Sequence, residues 1–250
     1  MNPPIELLNG APMICARLYL ASILESEYEI ITYLDGDTQI VGDVRPLANC
    51  IPREGTILAA PDVMSLMIRD QRREWRDRAV YFRRIGLPDK SHESYFNSGV
   101  MKAFRSDWAA FSIDCLSLLS KPDSKDFHFR DQDALNLILQ GRHDPISLRW
   151  NWPGFLVPKA FEGIVEPKII HFMSKPRPWD GSFPPWGLAA STPYRDFVLK
   201  HPGLAQLYRP FKGWNFLRYQ MQQRAKSIIE DFNSVSMRSR IELSEQRAIV

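Results

Sequence analysis

Asp35 and Asp37, in the run Tyr33-Leu34-Asp35-Gly36-Asp37-Thr38, are carboxylates at i and i+2. On extended backbone such a pair points to one side and can share a divalent cation. Gly36 between them lets backbone approach a ligand closely. A hard cation held by two acids neutralises phosphate oxygens, so the chemistry on offer is the handling of a phosphorylated substrate. The spacing alone carries little weight, because a D-x-D arises readily by chance and Asp131-Gln132-Asp133 is a second one. On the pattern alone, an acidic turn after a strand is the better explanation.

Position adds to the pattern. Asp35 closes the apolar, β-rich run Glu29 to Leu34, and His171 ends another, Lys168 to Phe172, just before Met173-Ser174-Lys175-Pro176-Arg177-Pro178-Trp179. Carboxyl ends of strands are where α/β folds place ligands. Neutral imidazole suits a borderline cation such as manganese, although a strand histidine with a structural role is the competing reading. Asn97 interrupts the run Tyr95 to Phe104 ahead of Gly99. A buried amide there needs partners, from a bulge or from a site.

The elements that must position these residues read as strands alternating with helices. Helical spacing covers Pro12 to Leu24, Trp108 to Leu119 and Asp131 to Leu139; strand-like runs cover Glu29 to Leu34, Gln39 to Val44, Thr56 to Ala60, Tyr95 to Phe104 and Lys168 to Phe172. Pro61-Asp62 reads as a helix start with Asp62 as cap. Alternation predicts an α/β fold with a mainly parallel sheet. Arg69 to Arg84 reads as a solvated, charged helix face. Five prolines between Pro176 and Pro193 predict a loop-rich stretch without regular structure.

Composition bounds the function classes. The chain has 250 residues, 44% hydrophobic and 12% aromatic, enough for a core and too apolar for whole-chain disorder. A net charge of +3 does not point to nucleic acid. Cys15, Cys50 and Cys115 show no C-x-x-C spacing and read as reduced, buried thiols. No run is long and apolar enough to span a bilayer, and the first ten residues lack the basic and apolar regions of a signal peptide. The expectation is a soluble, cytoplasmic protein.

Four motifs in order carry a resemblance. Tyr33 to Val44 (Y-L-D-G-D-T-Q-I-V-G-D-V), Phe96 to Met101 (F-N-S-G-V-M), Asp131 to Asn136 (D-Q-D-A-L-N) and Ile169 to Trp179 (I-I-H-F with K-P-R-P-W) resemble glycosyltransferase family 8 over residues 11 to 186. That family includes bacterial lipopolysaccharide galactosyl- and glucosyltransferases and the glycogenins. The resemblance implies a Rossmann-like GT-A fold, a divalent cation (usually Mn2+), a UDP-sugar donor, a glycan or lipid-linked saccharide acceptor and retention of anomeric configuration. It implies Asp35, Asp37 and His171 as metal ligands, with Asp35 also near the donor. Arg17, Asn97 and Asp131 resemble donor contacts, and Gln132 the residue beneath the anomeric centre. Arg177 stands where a phosphate-binding lysine is usual, and Ser174 where a glycine often lets backbone approach phosphate. Lys102 enters a run that is usually apolar, and Cys15 replaces a common aromatic.

The resemblance also implies a GT-A domain over residues 1–190 that is N-terminally incomplete: the strands that grip uracil and ribose in family members precede the Arg17 helix and have no counterpart here. Residues 191–250 then form a helical tail. From Phe197 to Ile229 it has no acid, and it interleaves Lys200, Arg209, Lys212, Arg218, Arg224 and Lys226 with Tyr208, Phe211, Trp214, Phe216 and Tyr219. Such a segment suits an anionic membrane surface, or packs on the domain with its basic face solvated. The expected function is a retaining hexosyltransferase of lipopolysaccharide or surface-polysaccharide synthesis. A truncated, non-catalytic domain that binds a partner or glycan is the alternative. A phosphohydrolase using Asp35 and Asp37 lacks the further acids of a two-metal site.

Overall fold

A computed structural model describes residues 13–67, 73–156 and 158–250. The first twelve residues and part of the arginine-rich stretch lie outside them. The chain forms two compact units: one comprises the N-terminal segment to Leu34, Arg45–Ser147 and Gln246–Val250, the other Asp35–Val44 and Leu148–Glu245.

Seven strands are present among the described residues: β1 (Ile30–Leu34), β2 (Thr38–Ile40), β3 (Ile57–Pro61), β4 (Phe96–Phe104), β5 (His143–Pro145), β6 (Trp152–Pro153) and β7 (Ile169–His171). The first unit holds a sheet of order β1-β4-β3-β5, and the second a sheet of order β2-β7-β6. Nearly every residue of β3 and β4 is buried, which explains their continuous apolar runs. Helices α1 (Arg73–Arg84), α2 (Arg105–Leu119) and α3 (Arg130–Ile138) belong to this unit, and its core joins Ile31, Ile57, Met101, Trp108, Phe111 and Leu135.

The strands are not mainly parallel. β4 runs antiparallel to both β1 and β3, and only β3/β5 is parallel; in the second sheet β2/β7 is antiparallel and β6/β7 parallel. A helix between two strands fixes only a connection long enough to cross over, and the α1-containing connection from β3 brings the chain back in the opposite sense. Two other expectations also change. The segment before β1 is a 3₁₀ helix, Met13–Tyr19, followed by one α turn, Leu20–Ile23. Pro193 lies inside α4 (Gly187–Lys200) rather than in a loop. It and Ala189, whose carbonyl the missing N–H would have bonded, are both exposed, so water can satisfy that group.

Asp62 caps the one-turn helix Val63–Met67 as expected, its Oδ1 accepting from the Met64 N–H at 2.8 Å. Cys15 and Cys115 are buried free thiols whose pKa values burial pushes up, whereas Cys50 is only half-buried. Lys102, on β4, is buried and donates from Nζ to the carbonyls of Leu47 (3.0 Å) and Ala48 (2.6 Å), so its charge caps the end of the short helix Arg45–Asn49. No helix among the described residues is long and apolar enough to cross a membrane.

The last residues return to β5: Ile249 N–H donates to Pro145 O at 3.0 Å, and Ser147 N–H to Val250 O at 2.9 Å. His143, at the start of β5, has its pKa lowered by burial, with Asp144 opposing. A histidine depressed in the folded state binds fewer protons than in the unfolded chain below the unfolded pKa of about 6.5. Stability is therefore full above that pH and falls as pH drops through it toward the folded value. Denaturant melts between pH 7.5 and 5.5 should show this loss, reduced in His143→Gln; an unchanged slope would remove His143 as its source.

Candidate functional site

The second unit gathers Asp35, Asp37 and His171. Each offers one ligand atom, and these lie within 4.8 Å of one another. β2 and β7 make the cluster, since Thr38 pairs with His171 in register and Phe172 N–H donates to Asp37 O at 2.8 Å. The turn between the acids is fixed by Thr38, whose Oγ1–H and N–H both donate to Asp35 O, at 2.8 and 3.0 Å. His171 Nε2 is 3.1 Å from Asp37 Oδ1 and 3.6 Å from Asp35 Oδ2. A Cβ on Gly36 would meet no protein atom, so packing does not demand the glycine.

The donor set fits a divalent cation. His171 Nδ1 is 2.9 Å from Asn151 Oδ1, an acceptor, which orients the ring so that Nε2 faces the two carboxylates. Two carboxylates and an imidazole nitrogen converging in this way can share one divalent cation. Burial would raise the Asp37 pKa, but its bonding to His171 and the charges of His171 and Arg177 outweigh that and hold it low. Arg177 adds a guanidinium, its Nη2 being 2.9 Å from Asp37 Oδ2 and its Nε donating to Phe172 O at 3.1 Å. Ser174 sits exposed on the same loop.

Asn151 is a partner that sequence reasoning missed; its only signal is a polar residue between the buried Trp150 and Trp152. Asn151→Leu should lower manganese affinity about 10- to 100-fold by releasing the ring. Calorimetric titration checks this, and unchanged affinity would mean that the imidazole is held without it.

The first unit gathers Arg17, Asn97, Asp131 and Gln132, all buried. Arg17 Nε lies 2.7 Å from Asp131 Oδ2, and its Nη1 donates to Ser98 O (2.6 Å) and Ser98 Oγ (2.9 Å). The guanidinium also stacks on Tyr33, 4.6 Å from the ring centre. Every polar atom of the Gln132 amide is engaged. Its Oε1 accepts from Ser98 N–H (3.0 Å) and Oγ–H (3.3 Å), and its Nε2 donates to Asp62 Oδ2 (3.2 Å) and Tyr95 Oη (3.1 Å). Asn97 Nδ2 donates to the same Asp62 oxygen at 2.9 Å. The Tyr95 hydroxyl in turn donates to Asp133 Oδ1 at 2.6 Å, and Tyr81 donates to Oδ2 at 2.5 Å. Asp62, Ser98, Tyr95 and Asp133 were not singled out as site residues from sequence. Asp62 was legible only as a helix cap, and Asp133 only as a chance carboxylate.

Arg130, the residue before Asp131, has φ of 25°, in a region that non-glycine residues avoid. Such a conformation costs about 1–3 kcal/mol and persists where the surroundings dictate it. It sets the entry of α3, from which Asp131, Gln132 and Asp133 project into the cluster.

The nine sequence-selected residues thus fall into two groups, each inside one unit: Arg17, Asn97, Asp131 and Gln132 in the first, and Asp35, Asp37, His171, Ser174 and Arg177 in the second.

The family model described as glycosyl transferase family 8 matches residues 9–182. Among curated proteins, the probable galacturonosyltransferase-like 4 of Arabidopsis thaliana is 27% identical over 180 residues, covering 67% of this chain and 49% of that protein. The probable galacturonosyltransferase-like 2 of the same organism is 25% identical over 182 residues, covering 68% of this chain and 52% of that protein. The chain spans about half the length of the curated relatives it matches. Among solved structures, an active-site mutant of the galactosyltransferase LgtC superposes with a TM-score of 0.60 at 18% identity, covering 76% of this chain and 72% of that one. LgtC in complex with donor and acceptor sugar analogs gives 0.51 at 20% identity, covering 66% and 59%. These structural likenesses show a shared GT-A fold.

Proposed function

Because the chain belongs to glycosyl transferase family 8, we propose that it is a retaining, metal-dependent hexosyltransferase. It moves galactose or glucose from a UDP-sugar to a glycan or lipid-linked acceptor in lipopolysaccharide or surface-polysaccharide synthesis. The observation that carries the reading is the convergence of Asp35, Asp37 and Nε2 of His171. These three would hold manganese or another divalent cation, which supplies charge neutralisation for a departing diphosphate. The galacturonosyltransferase-like relatives add UDP-galacturonate to the donors to be screened.

The protein's own groups have distinct tasks. Arg177 brings a fixed positive charge beside Asp37 for phosphate oxygens, with a planar fork in place of a point charge. Arg17, Asn97, Asp131 and Ser174 are assigned to substrate binding. Gln132 positions or stabilises rather than attacks: an amide is a poor nucleophile, and its oxygen already accepts two hydrogen bonds from Ser98. The acceptor hydroxyl therefore attacks on the face from which UDP departs. Its bond to the anomeric carbon forms as the bond to the diphosphate oxygen breaks, and its proton passes to that phosphate. The transition state is oxocarbenium-like. Trapping a sugar covalently on any side chain would overturn this.

Calorimetric titration of UDP with and without manganese tests the reading, followed by UDP release from each candidate UDP-sugar. Manganese-dependent binding is expected. A folded protein that binds no UDP under either condition would refute it and favour the non-catalytic alternative.

The tail, residues 191–250, we assign to attachment on the cytoplasmic face of an anionic membrane. Helix α5 (Gly213–Glu245) supports this, exposing Trp214 (74%), Leu217, Met221 (70%) and Ile228. Their spacing puts them on one side of the helix, flanked by exposed Arg218 and Arg224. Pelleting with phosphatidylserine vesicles at low salt should carry the protein down, and Trp214→Ser with Met221→Ser should leave it in solution. No binding by the parent chain would remove the assignment.

A further inference from the structure

Gln223 lies on the opposite, inward face of α5. It is 7% exposed, and its Nε2 has no hydrogen-bond partner. A buried amide donor left unmatched costs about 1–3 kcal/mol, so such a group calls for a ligand or water that accepts from it. One turn earlier on the same helix Gln220 donates from Nε2 to Ser182 O at 2.7 Å, so the helix does satisfy its glutamines where backbone is within reach.

Gln223 lines an open pocket with Gly154, Phe172, Ser174 and Trp186 whose cavity volume is about 10 Å³. That is room for about one water-sized group, so it suits a single oxygen of a larger ligand and not a whole small molecule. Gly154 keeps it open: a Cβ there would stand 2.9 Å from Phe172 Cδ1. The pocket is built on the loop of the candidate metal cluster, since the Phe172 backbone accepts from Arg177 Nε and donates to Asp37 O. Its polar side chains, an amide N–H₂ and the Ser174 hydroxyl, offer donors, and Phe172 and Trp186 offer apolar ring surface. Donors beside aromatic rings match an oxygen carried on a sugar or on its phosphate, since rings cover C–H faces and donors meet oxygen.

We infer that Gln223 and Ser174 form a subsite that receives one acceptor oxygen of the saccharide ligand, either a sugar hydroxyl or a diphosphate oxygen. The subsite deepens the transferase reading and rests on it for the ligand class. It makes the C-terminal helix a contributor to binding as well as to attachment.

The test follows the Gln223 side-chain amide resonances, assigned by their loss in Gln223→Leu, while the 250-residue chain is titrated with UDP, UDP-galactose, inorganic pyrophosphate and methyl galactoside, all with manganese. Calorimetry of both proteins with UDP and UDP-galactose runs in parallel, and thermal melts confirm that the variant folds. If the oxygen is a phosphate's, UDP and pyrophosphate move the resonances and Gln223→Leu weakens UDP about tenfold. If it is a hydroxyl, only UDP-galactose or the galactoside moves them, and only the sugar-bearing ligand loses affinity. Resonances that no probe moves, or affinities within twofold in the variant, overturn the subsite and leave a water as the partner of Gln223. Absence of UDP binding by the parent chain refutes the transferase reading separately, because pyrophosphate and the galactoside still read the subsite.

Discussion

Asp37→Asn is expected to abolish manganese-dependent UDP binding. The substitution keeps the shape of the side chain and removes the charge. Asp37 is the acid closest to His171 Nε2, at 3.1 Å, and its other oxygen is held by Arg177 at 2.9 Å. The amide would leave one carboxylate and one imidazole to hold a divalent cation. Loss of an outer partner typically costs about 10- to 100-fold in metal affinity, and loss of a charged ligand should exceed about 100-fold. The metal-free protein should lose little, about 1 kcal/mol, because the Arg177 pair is partly exposed. A titration calorimeter and a thermal melt separate the two effects. Manganese-dependent UDP binding that survived within about fivefold would show that the cluster is not the metal centre.

Arg17→Met should produce the largest change in stability. The Arg17 and Asp131 side chains are 6% and 2% exposed and stand 2.7 Å apart. Removing the guanidinium takes a close counter-charge from a buried carboxylate, a loss that typically costs about 3–5 kcal/mol. For a chain of this size that is a fall of roughly 10 °C in melting temperature. The Ser98 carbonyl and hydroxyl lose a donor as well, and Ser98 is what fixes the Gln132 oxygen. The double replacement Arg17→Met with Asp131→Leu should recover part of the stability, because the buried negative charge goes too. A fall of less than about 2 °C in the single variant would mean that water or a rearranged side chain replaces the pair.

Much of the molecule was legible in residue patterns because burial dictates them. β4 and α3 read from their apolar runs, Asp62 read as a cap, and Asp35, Asp37 and His171 read from acids and imidazole at strand ends. What escaped is what depends on partners distant in sequence. Strand direction was missed because a connection containing α1 permits either sense of return. Asn151 is 20 positions from the histidine it orients, and Ser98 is 81 from Arg17. Tyr95 and Asp133 looked like core and chance acid, and only the folded chain shows them joined behind Gln132. Pro193 misled because its missing N–H matters little on the solvent side of α4.

The return of the last residues to β5 bears on how the chain comes off the ribosome. Ile249 and Val250 supply hydrogen bonds to the edge of the first sheet, and β2 waits for β7 to complete the second. Synthesis runs from the N-terminus, so the first unit lacks a segment until residues 246–250 have emerged and the second until Leu148–Glu245 has, and the apolar β3 and β4 are translated long before. Contacts so far apart in sequence form slowly and leave nascent strands open to aggregation. Holdase chaperones are the cellular answer to that interval, and the yield of native protein should depend on them more than its final stability suggests.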